Sequence, residues 1–178
     1  LEAAAVLRGG ADAVSSANTF PSLPLIDPET LEFEMNVDGQ VSPGGLGGPA
    51  ILPLSLAKMA QMTQAFPEKA FSGIGGISEF SDALNYFLLG CGTVQICTAA
   101  MLDKAVGPNV IKRLNAGYAA FLEKHASRGW TRLEDFRGLL RDRVVLHSQI
   151  RRPDNSDYQG GHDAPEGYAA PDPSSTTD

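Results

Sequence analysis

Two strand–glycine–helix units follow one another between residues 70 and 104, and they constrain the fold more than any other feature. Ala70–Ile74 is a short apolar strand running into Gly73-Ile74-Gly75-Gly76. Ser78 is then a good N-cap, and Glu79 and Asp82 put carboxylates in the first turn of a helix that runs to Leu89 and stops at Gly90. Thr93–Cys97 is a strand of β-branched residues, and Thr98–Lys104 is one short helix. The same alternation precedes this pair: a helix over 1–8 stopped by Gly9-Gly10, a strand at Ala13–Ala17 closed by Asn18-Thr19, and a helix at Pro53–Phe66 ended by Pro67. Strands alternating with helices imply a parallel sheet and the α/β class. Three such strands cannot close a barrel and leave both sheet edges unpaired, so the chain reads as a fragment of something longer.

Residues 20–49 form a long Pro- and Gly-rich excursion with extended pieces near Leu31–Met35 and Gln40–Ser42; excursions of that length are functional or disordered. The Pro53–Phe66 helix has an apolar face of Leu54, Leu56, Met59, Ala60, Met62 and Thr63. Pro108–His125 is a longer helix with Val110, Ile111, Leu114, Tyr118, Phe121 and Leu122 on one side. Trp130–Leu140 reads as another helix, with Thr131 and Glu134 as a capping box. The expected organisation is a fold over 1–150 and a disordered polar tail over 151–178. A net charge of −7 disfavours nucleic-acid or polybasic membrane partners, and no apolar run approaches the ~20 residues of a membrane span. The start at Leu1 carries no signal-peptide pattern, and a reduced pair, Cys91 and Cys97, fits a cytoplasmic protein.

Glycines cluster where strands meet helices: Gly44-Gly45-Leu46-Gly47-Gly48, Gly73-Ile74-Gly75-Gly76, and Gly92 before the strand that Cys97-Thr98-Ala99 closes. A strand-to-helix turn without side chains lets an anion reach backbone N–H groups, and Thr98 adds a hydroxyl. Barrel enzymes of the α/β class build phosphate sites from the loops after strands seven and eight. Spacing alone leaves a second reading open, that these glycines only make tight turns. The third glycine of the dinucleotide fingerprint is missing, which removes an NAD-binding unit from this segment.

The stretches Ala17-Asn18-Thr19, Gly44 to Leu56, Ser72 to Ile77, Leu89 to Ala100 and Leu140 to Ile150, in that order, resemble the dihydroorotate/dihydropyrimidine dehydrogenase superfamily, with the bacterial NAD-dependent dihydropyrimidine dehydrogenases nearest within it. The resemblance covers residues 1 to about 153. It implies the C-terminal portion, about strands 6–8, of a (β/α)8 TIM barrel. It implies FMN as cofactor, held at Gly47, Gly48, Gly75, Gly76, Cys97 and Thr98. It implies a pyrimidine substrate hydrogen-bonded by Asn18 and Thr19; the one acceptor and two donors of an Asn amide match the alternating edge of the ring. In the family a hydride passes between flavin N5 and ring C6, and a cysteine handles the proton at C5. That cysteine, and lysines that contact the flavin, would lie upstream of Leu1, so no catalytic residue is assigned here. The thiol of Cys97 is expected to be a small buried hydrophobe, and Cys91 to lie at the far face of the barrel. Full-length relatives carry iron–sulfur clusters and draw electrons from NAD(P)H through a partner; residues 154–178 hold no cysteine for such a cluster. Pro43 stands where relatives often have an aromatic residue. The alternatives are a dihydroorotate dehydrogenase and an inactive truncated product. An oligomer is expected.

The remaining residues carry blander readings. His125 and His147 are surface or helix-end residues and His162 is in the tail. Met35, Met59, Met62 and Met101 are too scattered for a metal or cofactor box, and no zinc pattern exists. Arg141, Arg143, Arg151 and Arg152 form a basic cluster that reads as a solvated face, with docking to an acidic neighbouring module as its functional alternative.

Overall fold

The computed structural model describes residues 2–102 and 107–150. The chain divides into two compact units, Leu1–Val144 and Val145–Asp178. In the second, the described part is a single 3-10 turn, His147–Gln149, with the Leu146 N–H donating to Gln149 Oε1 at 3.0 Å. The expected disorder of 151–178 falls outside the described residues.

In the first unit, α1 (Glu2–Arg8) leads into β1 (Ala13–Ser16), and an excursion follows. Then come α2 (Leu52–Ala65), β4 (Ala70–Ile74), α3 (Phe80–Leu88), β5 (Thr93–Gln95), α4 (Thr98–Leu102) and α5 (Val110–Lys124). Strands β1, β4 and β5 form a parallel sheet in the order β1-β4-β5, registering Ser15 with Ser72 and Ser72 with Thr93. The α/β class and the parallel sheet are as the alternation implies. Side chains alternate across the sheet. Val14, Phe71 and Val94 face the core, where Phe71 meets Met59, Ala83 and Tyr86. Ala13, Ser15, Ala70, Thr93 and Gln95 lie on the opposite face and are exposed. A parallel sheet normally has both faces covered; this one buries a single face.

Several local expectations are corrected. The helix after the glycine loop is capped by Glu79 rather than Ser78, because the Asp82 carboxylate at N3 accepts the N–H of Ser78 at 2.9 Å and of Glu79 at 3.0 Å. On α2, Leu54 is exposed and Ser55 is buried; the core face runs through Ser55, Met59, Ala60 and Thr63. On α5, Val110 and Leu114 are buried whereas Ile111 is exposed. The expected helix at Trp130–Leu140 is one 3-10 turn, Leu133–Asp135. Two of its backbone donors go elsewhere: Gly138 N–H reaches Phe87 O (2.9 Å) and Leu140 N–H reaches Leu88 O (3.0 Å), stitching this segment to the end of α3. The capping carboxylate is Asp135, not Glu134. It accepts Thr131 N–H at 2.7 Å and Arg132 N–H at 3.0 Å, and these bonds hold its pKa below the usual carboxylate value. His125 does sit at a helix end, as the C-cap of α5, with its ring 4.6 Å from that of Phe121 and 5.3 Å from that of Trp130.

The excursion is more ordered than its composition implied. Phe20–Ser22 (β2) pairs antiparallel with Gly44–Leu46 (β3), a ribbon the sequence reading placed elsewhere. Within it, only single bridges form at Ile26–Phe33 and Val37–Gln40, in place of the two extended pieces. Asp38 (φ 51°) and Gly39 (φ 74°) make the tight turn between Val37 and Gln40, as an Asp-Gly pair does in a hairpin. Leu23, Leu25, Ile26, Leu31, Met35 and Val37 on this excursion are exposed.

Two buried ionisable groups make the fold alkali-sensitive. Cys91 and Tyr86 are both fully buried, and burial pushes each up to about 12, from 9.0 and 10.0. Both are neutral in the fold and ionise sooner when unfolded. Their contribution is therefore complete below about pH 9 and is lost as pH rises toward 12. The urea midpoint is expected to fall between roughly pH 8 and pH 11, with a shallower fall in Cys91→Ala; a midpoint flat across that range contradicts this.

Candidate functional site

The parallel strands bring their C-terminal ends to one edge of the sheet. Asn18-Thr19 follows β1, Gly75-Gly76 follows β4, and Cys97-Thr98 follows β5. The Gly47-Gly48 turn that ends β3 joins them. Together they line a cavity of about 200 Å³. All eight residues singled out from the sequence — Asn18, Thr19, Gly47, Gly48, Gly75, Gly76, Cys97 and Thr98 — border this one cavity. Ile51, Ile74, Ile77 and Ala99 supply its apolar wall, and Gln95 and Ser78 add polar groups.

Close backbone approach explains the glycines. A Cβ on Gly45 would enter the Thr19 side chain, and one on Gly48 would stand 3.2 Å from Thr98 Cγ2. Gly75 (φ 127°) and Gly76 (φ 77°) hold conformations that L side chains rarely adopt. The loop they form rests on Tyr86, whose hydroxyl donates to Gly75 O at 2.7 Å while its ring fills the space beside Gly73. Ser55 is fully buried next to Gly75, where a Cβ would strike its Oγ. Its hydroxyl lies near enough to the Tyr86 phenol to pull that pKa down against the burial effect, yet it makes no hydrogen bond of good geometry.

Asn18 differs from its expected use. Its Oδ1 accepts the N–H of Thr19 at 2.7 Å and the Thr19 hydroxyl at 3.4 Å. The acceptor is occupied locally, so Asn18 offers the cavity its amide donors rather than the full donor–acceptor pattern. Cys97 is also corrected: it is exposed on the cavity, not a buried hydrophobe, with its Sγ 3.7 Å from Met101 Sδ. Chain direction is the reason. Cys97 follows the last strand residue, two positions after Gln95, and so stands on the same open face of the sheet. Cys91 is buried before β5 and borders no part of the cavity.

The sequence reading missed three residues here. Tyr86 was not singled out within its helix. Ser55 was hidden in an apolar helix face. Gln95 did leave a signal, an amide in the middle of Thr93-Val94-Gln95-Ile96, and the structure explains it. Gln95 Nε2 donates to Ser15 Oγ at 2.6 Å and to Ser72 Oγ at 3.1 Å, bridging all three strands on the open face. Among the described residues no three His, Cys, Asp or Glu side chains converge as a metal site. No helix there is long and apolar enough to cross a membrane.

Residues 2–118 match the dihydroorotate dehydrogenase family. The chain belongs to that family. Among its relatives, the chloroplastic dihydropyrimidine dehydrogenase (NADP(+)) of Arabidopsis thaliana is 36% identical over 149 residues, which is 81% of this chain and 34% of the relative. The NAD-dependent dihydropyrimidine dehydrogenase subunit PreA of Escherichia coli K12 is 33% identical over 153 residues, 84% of this chain and 36% of PreA. The catalytic subunit of dihydroorotate dehydrogenase B (NAD(+)) of Petrotoga mobilis is 31% identical over 134 residues, 75% of this chain and 40% of the relative. The chain thus spans little more than a third of the length of these family members.

Proposed function

We propose that this segment is the C-terminal portion of a (β/α)8 barrel, with β1, β4 and β5 as its last three strands, and that it forms the phosphate-holding part of an FMN site in a pyrimidine-oxidising or pyrimidine-reducing enzyme. The observation that carries the reading is the convergence of eight sequence-marked residues on one cavity. The sheet face and the two edge strands left uncovered among the described residues support the barrel. The donor set fits a phosphate: the glycine turns at 47–48 and 75–76, packed against Thr98, Ser55 and Leu52, border the cavity, and Thr98 brings a hydroxyl. A cavity of about 200 Å³ suits a phosphate and its chain; it falls short of the roughly 300 Å³ at which whole-ligand pockets begin. The rest of FMN would rest on parts of the barrel outside this chain.

In this reading Gly75, Gly76, Thr98 and Cys97 bind phosphate, and Gly47 and Gly48 close the cavity over it. Asn18 donates to a ring carbonyl of the pyrimidine, with Thr19 fixing its amide. The ribbon β2–β3 lies over the ring and excludes water. FMN, when bound, supplies hydride transfer to or from ring carbon. Neither cysteine of this chain is assigned the acid/base role, since Cys91 is buried away from the cavity and Cys97 belongs to the phosphate turn. Of the two family activities, dihydropyrimidine reduction is favoured by the longer matches, 149 and 153 residues against 134. Electrons from NAD(P)H would arrive through a partner bearing flavin or iron–sulfur centres. The exposed apolar side chains of the excursion suit an oligomer.

The test is a titration of FMN into the isotope-labelled chain. Weak, millimolar binding is expected, with amide shifts at Gly75, Gly76 and Thr98 and protection of Cys97 from alkylation. Tight, stoichiometric FMN binding overturns the partial site. No shift at those amides overturns the phosphate assignment. In an active enzyme carrying this segment, Asn18→Ala is expected to raise the pyrimidine KM by about 1–3 kcal/mol equivalent while leaving FMN affinity alone.

A further inference from the structure

Ser15, Ser72 and Gln95 make one polar cluster on the open face of the sheet, Ser15 and Ser72 in register and Gln95 two residues beyond Thr93, the partner of Ser72. Each stands three residues before a cavity residue that follows its own strand: Asn18, Gly75 and Thr98. The interior of α/β barrels is filled mostly by branched apolar side chains, so a serine–serine–glutamine cluster calls for another reason. The bridge supplies it. Gln95 spends both amide hydrogens, one on Ser15 Oγ at 2.6 Å and one on Ser72 Oγ at 3.1 Å. That fixes the side chain's rotation and leaves Oε1 without a partner among the described residues. Of this cluster, only Gln95 borders the cavity. Asn18, the other amide there, has its own oxygen occupied by Thr19. Gln95 is therefore the one side-chain amide at the cavity with a free acceptor, on the strand that leads directly to Thr98.

We propose that Gln95 is a ligand-contacting residue whose Oε1 accepts a hydrogen bond from a hydroxyl of the polyol chain next to the phosphate. This rests on the phosphate reading above: with phosphate at Gly75, Gly76 and Thr98, the first donors a flavin mononucleotide offers beyond it are the ribityl hydroxyls. Inorganic phosphate offers no such chain and does not call on Gln95.

The experiment titrates three probes into the full chain and into Gln95→Leu: inorganic phosphate, ribitol 5-phosphate and FMN, read by amide shifts at Gly75, Gly76 and Thr98. Gln95→Leu should weaken ribitol 5-phosphate and FMN alike, by about fivefold, as loss of one neutral hydrogen bond does, and leave inorganic phosphate unchanged. Equal weakening of all three means that Gln95 only braces the strands, and overturns the contact. Weakening of FMN alone moves the contact to the ring and overturns the polyol assignment. No change in any probe overturns it as well. A wild-type chain that binds none of the probes overturns the phosphate reading itself, and the proposal with it.

Discussion

Tyr86→Ala is expected to remove about 3–5 kcal/mol of folding free energy, as the loss of a large aromatic side chain from a closed core does. Tyr86 is fully buried, and its ring occupies the space that the missing side chain of Gly73 leaves on β4. Deleting it opens a cavity between sheet and α3 at the point where the glycine loop departs. The hydroxyl adds a separate effect, since it donates to Gly75 O at 2.7 Å from a fully buried side chain. Tyr86→Phe keeps the ring and loses that bond, which costs about 1 kcal/mol. Ser55→Ala has the opposite sign. It removes a buried hydroxyl without a partner, so it should be neutral or slightly stabilising. Urea denaturation of the three variants checks the order. If Tyr86→Ala unfolds at the same midpoint as Tyr86→Phe, the ring does not carry the packing assigned to it.

The order of elements was legible because each local rule pointed the same way. Gly9-Gly10 and Gly90 end helices, β-branched Thr93 and Val94 open β5, and alternation with helices requires parallel strands. The site was legible for a related reason: glycines with Asn, Thr and Cys fall at strand ends, and parallel strands bring those ends to one edge. What the sequence hid depends on contacts distant along the chain. The segment after Trp130 has a helix's apolar spacing, but the N–H groups of Gly138 and Leu140 are claimed by the carbonyls of Phe87 and Leu88, and no local pattern carries that information. The ribbon β2–β3 pairs residues more than twenty positions apart across a Pro-rich excursion, so neither strand is long enough to announce itself. Asn18 reads as a free amide in sequence, whereas the backbone after β1 turns its own Thr19 N–H onto the oxygen. Gln95 shows the same limit from the other side: its polar character was visible, and its partner Ser15, 80 residues earlier, was not.

Gly76→Ala is expected to destabilise the chain by about 2–5 kcal/mol, and the reason is not the one its place beside the cavity suggests. A side chain there would seem to fill the space of a bound phosphate. Built on this backbone, the Cβ instead meets α2, at 2.7 Å from Leu52 Cβ and 2.9 Å from both Leu52 Cα and Leu52 N. Those atoms belong to the first turn of a 14-residue helix and cannot swing aside as a side-chain tip would. The positive φ of 77° adds the steric cost of a left-handed L residue, about 1–2 kcal/mol. Overpacking against backbone adds about 1–3 kcal/mol more. Gly44→Ala is the matched control: its φ is not in the left-handed region and its Cβ would meet nothing within 4 Å, so it should stay within about 0.5 kcal/mol of wild type. The consequence reaches function, because a loop pushed off Leu52 carries the Gly75 and Gly76 N–H groups with it. Loss of ligand shifts in Gly76→Ala should therefore accompany loss of stability. If Gly76→Ala loses phosphate while keeping its wild-type urea midpoint, the methyl points into the cavity after all, and the packing of this turn against α2 has been misassigned.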